Sequence, residues 1–347
     1  MRVIVDKDIK GFKDLVNELE GLQAIDFKYV TSKEIDNDLL IDAEVLFIRS
    51  TTKVDKKLLE NSSVKFIGSA TAGIDHIDID YLESSQIRWF YSPGCNSSSV
   101  VHYVLSSIGY LKNKNLIHEN NSFGIIGCGN IGEKLRLIFN KLNIRNIICD
   151  PFKDFGFLSS MEEIKRCEVI SIHTPLTFSG TYPTYNMVNK SFLENSKAKT
   201  IINTSRGSIV NEKDLLEFSH INYISDVWEN EPSPDIDIIK KAIIATPHIA
   251  GHSYEGKING TINLLLALFE VIEISKENLA KNIKFISDVS KKKLTNNSLG
   301  LNDFSNSYNV VAESKAFKEL SNKSDKYIAA ADFERARRMH KMRHDIF

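Results

Sequence analysis

One loop constrains the fold of this chain more than any other segment. It is the sequence GCGNIG at residues 127–132, set between the apolar stretch Phe123–Ile126 and the helical pattern of Glu133–Leu142. In such a unit the first glycine permits a tight turn, the second lets the backbone approach a pyrophosphate, and the third lets the helix pack close to the strand. The pattern predicts a parallel α/β sheet that binds a dinucleotide at the N-terminus of a helix.

An acid follows this loop at the distance expected for ribose recognition. Asp150 ends the next predicted strand, Asn146–Cys149, and comes 18 residues after Gly132. A carboxylate there binds ribose hydroxyls and repels a 2′-phosphate, so the sequence favours NAD over NADP, although the neighbouring Lys153 acts against this preference. The loop residues predicted to contact the cofactor are Gly127, Gly129, Asn130, Ile131 and Gly132.

Strands and helices alternate on both sides of the loop, which predicts two doubly wound parallel sheets. With 347 residues the chain is longer than one hydrophobic core usually fills, in keeping with two domains. The first alternation covers residues 1–94, with strands at Val3–Val5, Val45–Ile48, Lys65–Gly68 and Arg88–Tyr91. The second covers roughly residues 122–247, and its later strands are Val169–His173, Thr200–Asn203, Tyr223–Ser225 and Ile243–Ala245.

The remaining C-terminal part has a different character. A long amphipathic helix is predicted from near Tyr254, and its position suggests a return to the first domain. Residues 286–308 are polar and are interpreted as a linker. The tail from Val310 predicts two helices. The second helix is rich in basic residues, which are interpreted as a solvated face rather than a surface that reaches a partner's site: Arg335, Arg337, Arg338, Lys341 and Arg343.

Composition excludes several classes of function. The net charge of −1 gives no reason to expect nucleic acid or an anionic membrane as a partner. No apolar run approaches the roughly 20 residues of a membrane span, and the start MRVIVDKDIK does not resemble a secretory leader. The four cysteines are dispersed without a CxxC pair, which favours free thiols in a reducing cytoplasm, and no spacing of metal ligands is present.

Three residues downstream of the loop indicate the chemistry. Arg206 in NTSRGS follows one predicted strand, and an arginine grips a carboxylate with two parallel hydrogen bonds. His248 in TPHIAGH follows another strand, and an imidazole accepts and releases protons near neutral pH. Glu231 in DVWENEP is suited to fix the tautomer of that imidazole. Together with a nicotinamide, this trio predicts hydride transfer from a 2-hydroxy acid.

These motifs resemble the D-isomer-specific 2-hydroxyacid dehydrogenases over nearly all of residues 1–285. The resemblance rests on GCGNIG, HTPL (173–176), INTSRGSIV (202–210), DVWENEP (226–232) and TPHIAG (246–251). It implies that Arg206, Glu231 and His248 are catalytic, with His248 as the acid/base. The NAD contacts implied by it are Asp150, Thr174, Thr204, Ser205, Arg206, Asp226 and Gly251.

The resemblance also implies a domain layout. Residues 1–94 and 248–285 would form the substrate-binding domain, of flavodoxin-like fold. Residues 95–247 would form an inserted NAD-binding Rossmann domain. Residues 286–347 would form a short dimerisation region, and the protein would be a homodimer.

Finer similarities narrow the resemblance to a branch of the family that acts on a phosphorylated hydroxy acid. They lie in FIRSTTKV (47–54), KFIGSATAGIDHID (65–78), YSPGCNSSSVVHYV (91–104) and GHSYEGKINGT (251–261). The likeness implies substrate contacts at Ser50 and Thr71. Arg49 and Lys53 are candidate phosphate ligands because they lie close to Ser50 in sequence, and His252 stands where this branch has a tyrosine.

Two alternatives stay open from the sequence. The chain could be another enzyme of the family, of the phosphoglycerate or hydroxypyruvate dehydrogenase type. It could also be an NAD-sensing corepressor on the same scaffold, which would bind a partner with little turnover. The intact trio favours an enzyme.

Overall fold

Two parallel β-sheets organise the chain in the computed structural model, which describes residues 1–118, 120–291 and 300–346. The chain divides into two compact units. Unit 1 contains the described residues of 1–96 and 253–295, and unit 2 contains those of 97–252 and 296–346. The α/β class with two parallel sheets, predicted from the strand–helix alternation, is confirmed.

Eleven strands lie within the described residues. They are β1 (Arg2–Asp6), β2 (Asp26–Val30), β3 (Val45–Ile48), β4 (Phe66–Ser69), β5 (Arg88–Tyr91), β6 (Phe123–Ile126), β7 (Asn146–Cys149), β8 (Val169–Ile172), β9 (Thr200–Asn203), β10 (Asn222–Ser225) and β11 (Ile244–Ala245).

The α-helices of the same residues differ widely in length. They are α1 (Phe12–Glu18), α2 (Lys56–Leu59), α3 (Ile79–Ser84), α4 (Ser97–Asn113), α5 (Gly132–Lys141), α6 (Met161–Ile164), α7 (Lys190–Glu194), α8 (Glu212–Leu216), α9 (Ile236–Lys241), α10 (Tyr254–Phe269), α11 (Lys276–Lys291), α12 (Leu301–Ser307), α13 (Val310–Ser321) and α14 (Ala330–Met339). Two short 3₁₀ turns lie at Asp38–Leu40 and Gly207–Ile209.

The sheet of unit 1 has the strand order β2-β1-β3-β4-β5, with all neighbours parallel. This is the flavodoxin-like order, in which ligands bind where the direction of winding reverses, beside the carboxyl ends of the first and third strands. Apolar residues cover both faces of the sheet: α1, α10 and α11 pack on one, and α2 and α3 on the other.

The sheet of unit 2 has the strand order β11-β10-β9-β8-β6-β7, again all parallel. Its winding reverses between β6 and β8. The GCGNIG loop follows β6, and the HTPL segment follows β8, so both meet at the reversal. A dinucleotide-binding sheet places its ligand at this point.

The C-terminal helices are part of unit 2. Phe317 of α13 and Phe333 of α14 are fully buried in the core of that unit, and the Phe317 ring packs at a tilt against Trp228 with ring centroids 6.2 Å apart. The hydroxyl of Ser314 accepts a hydrogen bond from the backbone N–H of Ala245 at 2.9 Å. The tail therefore completes the core on the β11 side of the sheet.

The prediction that residues 286–308 form a linker is wrong for most of the residues in that range that the structure describes. Helix α11 continues to Lys291, and α12 occupies Leu301–Ser307; residues 292–299 lie outside the described residues. Polar composition misled the prediction because each helix buries only a narrow stripe. Ile286 anchors the first helix and Phe304 the second, and both side chains are buried.

No helix in the described part of the chain is long and apolar enough to cross a membrane.

Candidate active site

The glycine loop is shaped by close backbone approaches. Gly127 has a φ of +97°, and a Cβ there would lie 2.4 Å from the carbonyl oxygen of His173. A Cβ on Gly132 would lie 1.9 Å from the carbonyl oxygen of Gly127, so the start of α5 packs directly on the turn. A Cβ on Gly129 would meet nothing within 4 Å. The loop thus leaves open space at its middle glycine, where a pyrophosphate needs it.

Asp150 and Lys153 hold the same loop from the end of β7. The Asp150 carboxylate accepts hydrogen bonds from the backbone N–H groups of Cys128 at 2.9 Å and Phe152 at 3.1 Å. The ammonium of Lys153 donates to the carbonyl oxygen of Cys128. Asn130 is exposed, and Ile131 leads into α5. The predicted cofactor contacts of this region therefore lie on one continuous edge of the sheet.

The ends of β8 and β9 supply neutral polar groups beside the loop. His173 bonds the hydroxyls of Ser171 at 2.9 Å and Thr204 at 3.3 Å, while the Ser205 hydroxyl donates to the carbonyl of Ile172 at 2.7 Å. Burial lowers the pKa of His173 to about 3, so its imidazole is neutral at physiological pH.

The hydroxyl oxygen of Thr174 is buried and has no hydrogen-bond partner among the described residues. A buried polar atom of this kind usually has a partner. The open middle glycine and this hydroxyl, both at the reversal of the sheet, fit a bound dinucleotide.

Arg206 follows β9 in a turn that is pressed against a second loop. A Cβ on the next residue, Gly207, would lie 1.9 Å from the backbone of Trp228, so only glycine lets the two segments approach this closely. The Arg206 side chain is partly buried and donates from one guanidinium nitrogen to the carbonyl of Ser205 at 2.8 Å. The turn thereby brings the arginine beside the loop that carries Glu231.

Glu231 and His248 form a direct pair. The Nδ1 atom of His248 lies 2.7 Å from Oε2 of Glu231, and the other carboxylate oxygen accepts the backbone N–H of Trp228 at 2.8 Å. The Trp228 indole in turn donates to the carbonyl of Thr246 at 2.9 Å. The carboxylate is thus fixed on one side by its own loop and on the other by the imidazole.

The backbone of the His248 loop is held by Asp226, which is fully buried. Its carboxylate accepts the N–H groups of Ile249 and Ala250, both at 2.7 Å, and its carbonyl accepts the N–H of His248 at 2.7 Å. His248 adopts a φ of +58°, which is costly for a residue with a side chain. The carboxylate of Asp226 therefore holds a strained backbone in place.

Charges around His248 adjust its acidity. Burial alone would lower the pKa of His248, but the charge and hydrogen bond of Glu231, with a further contribution from Asp226, raise that pKa above its ordinary value. Burial would raise the pKa of Glu231, yet the charge and hydrogen bond of His248 lower it overall. Arg337 opposes the protonation of both groups. The His248 side chain remains 34% exposed, which leaves it accessible to a ligand.

The predicted substrate residues of unit 1 lie at the carboxyl ends of its strands. Arg49 follows β3, and its guanidinium binds Asp6 through two hydrogen bonds of 2.9 and 3.1 Å and Asp8 through one of 2.9 Å. Ser50 is exposed. Lys53 is 80% exposed and pairs with Asp55 at 3.1 Å. The positive charge of Arg49 is thus already paired with two carboxylates.

Thr71 lies in the loop after β4. Its hydroxyl bonds the Ser69 hydroxyl at 2.7 Å and donates to the carbonyl of Gly73 at 2.8 Å. In unit 2, His252 donates its backbone N–H to the carbonyl of Ile249 at 2.8 Å, which closes the turn that contains Gly251. Thr71 and His252 thus lie in loops that follow the carboxyl ends of strands β4 and β11.

Two buried residues near Arg206, Glu231 and His248 were not predicted from the sequence. Glu212, at the start of α8, is buried and accepts the backbone N–H of Glu229 at 3.0 Å, and burial raises its pKa to about 9. Arg343 was assigned to a solvated basic face, but its side chain is buried against the His248 loop. A single glutamate or arginine in a polar segment carries no sequence signal for burial.

The fold and the arrangement of residues in unit 2 define a nucleotide-linked dehydrogenase. Residues 110–250 match the family model described as "D-isomer specific 2-hydroxyacid dehydrogenase, NAD binding domain". The chain is 39% identical over 278 residues to erythronate-4-phosphate dehydrogenase of Wigglesworthia glossinidia brevipalpis, covering 77% of this chain and 72% of that protein. It is 37% identical over 290 residues to the enzyme of that name from Bacteroides fragilis, covering 80% and 82%.

A solved structure shares the fold. The NAD⁺-bound 3-phosphoglycerate dehydrogenase of Entamoeba histolytica aligns with a TM-score of 0.63 at 21% identity, covering 86% of this chain and 99% of that one. The chain belongs to the erythronate-4-phosphate dehydrogenase family, within the D-isomer-specific 2-hydroxyacid dehydrogenases. It is an NAD-dependent enzyme, and the predicted choice of cofactor is confirmed.

Proposed function

We propose that the protein oxidises 4-phospho-D-erythronate at C2 to 2-oxo-3-hydroxy-4-phosphobutanoate, with reduction of NAD, in the biosynthesis of pyridoxal 5′-phosphate (vitamin B6). The observation that carries the chemistry is the 2.7 Å contact between His248 and Glu231 beside the Arg206 turn. The relatives named erythronate-4-phosphate dehydrogenase support the choice of substrate.

In this reaction His248 is the base. Its Nδ1–H is held by Glu231, which leaves Nε2 free of a proton and able to accept the proton of the C2 hydroxyl. Arg206 binds the substrate carboxylate and so fixes the orientation of C2. Bound NAD would supply the acceptor for the hydride of C2. The products are the oxo acid, NADH and one proton, which His248 returns to solvent.

Glu231 stabilises the state formed by proton transfer. The imidazolium created at His248 lies against a carboxylate, and this attraction is the reason that the pKa of His248 is raised. Asp226 keeps the His248 backbone in its strained conformation through the hydrogen bonds to Ile249 and Ala250. The imidazole is therefore held at one orientation during turnover.

The substrate phosphate is assigned to Arg49 and Lys53, with further substrate contacts from Ser50, Thr71 and His252. A phosphate requires cations or N–H donors. Arg49 is engaged with Asp6 and Asp8, so phosphate binding there would redistribute hydrogen bonds that already exist. In this proposal unit 1 supplies the contacts to the phosphate, and unit 2 supplies Arg206, His248 and the NAD-binding loop.

The substrate assignment is tested by measuring NAD reduction with 4-phosphoerythronate and with 3-phosphoglycerate in parallel. We expect kcat/KM to be at least about 100-fold higher with 4-phosphoerythronate, as for a site that rejects a ligand lacking a matched polar group. A preference for 3-phosphoglycerate would assign the protein to another branch. Turnover with neither acid, together with tight NADH binding, would favour an NAD-sensing role.

The protein is further proposed to act as a homodimer in the cytoplasm. All four cysteines are buried free thiols, which is in keeping with a reducing compartment. Light scattering of the purified protein tests the oligomeric state.

A further inference from the structure

A buried arginine from the tail binds the loop that carries His248. The Arg343 side chain is 8% exposed. One of its terminal nitrogens donates to the carbonyls of Ile249 at 3.3 Å and His252 at 3.2 Å. The other donates to the carbonyl of Ala250 and to that of Ser99 at 2.8 Å. Three of these four carbonyls belong to the turn that directly follows His248.

The turn is thus held from two sides. Asp226 accepts the N–H groups of Ile249 and Ala250, whereas Arg343 binds the carbonyl groups of the same two residues. Asp226 and Arg343 together hold both the N–H and the carbonyl groups of this turn, whose first residue, His248, has a positive φ. Losing either partner frees a strained backbone to relax.

Neighbouring residues hold the Arg343 guanidinium in place. The Tyr308 ring lies 4.2 Å from the guanidinium carbon, and the Ser99 carbonyl ties the group to the first turn of α4. The Ser99 hydroxyl donates to Asp345, two residues beyond Arg343, at 2.9 Å. A planar guanidinium has donors on both terminal nitrogens and can serve several carbonyls at once, which the compact ammonium of lysine cannot reproduce.

We propose that Arg343 is a positioning residue that keeps the His248 imidazole paired with Glu231 by bracing the 248–252 turn. The role of His248 as base rests on the proposed function, but the bracing itself does not. The segment after α14 then contributes a positioning residue to the active site of its own chain.

The test compares Arg343→Ala and Arg343→Lys with Arg335→Ala. Arg335 lies on the exposed face of α14 and pairs only locally with Asp332 in the contacts described, so it controls for loss of a tail charge. In Arg343→Ala we expect kcat to fall about 10- to 100-fold, as when a reacting group is misplaced, with little change in NADH affinity. Arg343→Lys should recover only part of the loss, and Arg335→Ala should match the parent protein.

Two readouts separate positioning from simple loss of folded protein. If the turn loosens, the His248–Glu231 contact weakens, so the acid limb of kcat/KM should move to lower pH in Arg343→Ala. Added guanidinium ion should restore part of kcat in this variant and none in Arg335→Ala. A smaller amount of folded enzyme would lower the rate without moving the acid limb and without rescue by guanidinium. The proposal is therefore overturned if the acid limb does not move and guanidinium restores no activity.

A third readout does not depend on the substrate. Hydrogen exchange of the Ile249 and Ala250 amides should be faster in Arg343→Ala than in the parent protein, and unchanged amides would also overturn the proposal. If the parent protein does not oxidise 4-phosphoerythronate, the proposed function fails. The exchange result still decides whether Arg343 braces the turn.

Discussion

His248 and Glu231 are joined by a 2.7 Å contact between Nδ1 and Oε2, although 16 residues separate them in sequence. This contact sets the protonation of the proposed base. Burial pulls the pKa of His248 down, and the carboxylate more than compensates. The balance between these two effects is measurable through the pH dependence of the reaction.

Replacing Glu231 with Gln should shift the acid limb of kcat/KM to lower pH. Oxidation requires a neutral His248, so the parent rate falls on acidification through a pKa above the ordinary value of 6.5. Without the carboxylate, burial becomes the dominant effect and lowers this pKa. The maximal rate should also drop because the imidazolium loses its partner. A kcat/KM profile between pH 5 and 9 checks this, and an unmoved acid limb would rule out Glu231 as the tuning acid.

Replacing Arg206 with Lys should reduce turnover and spare cofactor binding. A charged, paired hydrogen bond contributes about 1.5–3 kcal/mol, so kcat/KM should fall about 10- to 100-fold. The glycine loop is unaffected, and NADH fluorescence titration should give a nearly unchanged Kd. Arg335→Lys, on an exposed face, is the matched control. Parallel loss of turnover and NADH binding would instead mean that Arg206 chiefly supports the fold.

Replacing Asp150 with Asn should weaken the preference for NAD over NADP. The amide oxygen can still accept the Cys128 N–H, which keeps the hydrogen bond to the glycine loop, while the bond to the Phe152 N–H and the charge that repels a 2′-phosphate are lost. Lys153 lies beside the same loop and should then favour the phosphate. Initial rates with each cofactor measure the ratio of kcat/KM, and Asp154→Asn, an exposed neighbour, should leave it unchanged.

Replacing Glu212 with Gln should change how stability depends on pH. The pKa of Glu212 rises from an ordinary 4.5 to about 9 on folding, so the native state holds one more proton between these values. The free energy of unfolding of the parent protein should therefore fall with rising pH, by up to about 1.4 kcal/mol per pH unit, relative to the variant. Urea unfolding at pH 5.5, 7 and 8.5 compares the two. Parallel curves would mean that Glu212 is ionised in the folded protein.

Much of the fold could be predicted because buried parallel strands are short apolar runs. Segments such as Phe123–Ile126 and Val169–Ile172 are of this kind, and each was located to within a residue. Strand β2, Asp26–Val30, was not predicted. It lies at the edge of its sheet, pairs only with β1 and is half exposed, so its sequence DFKYV mixes polar and apolar residues.

The site was predictable where chemistry demands a residue type at a strand end, as with Arg206 and His248. Their roles stay predictions until the variants are measured. Contacts that depend on tertiary packing could not be read from the sequence. Gly207 faces the Trp228 backbone, and Arg343 faces the His248 turn, yet nothing local to either residue indicates its distant neighbour.

The bracing of the His248 turn has a consequence for the order in which the protein becomes competent during synthesis. The ribosome adds Arg343 94 residues after Ile249, which carries the first carbonyl of the 248–252 turn that this arginine binds. At translation rates of about 5–20 residues per second, the turn exists for roughly 5–20 seconds before its brace has been made. If Arg343 braces the turn as proposed, a nascent chain completes its nucleotide loop while its base is still unsupported, and full activity is reached only once the tail has emerged and folded.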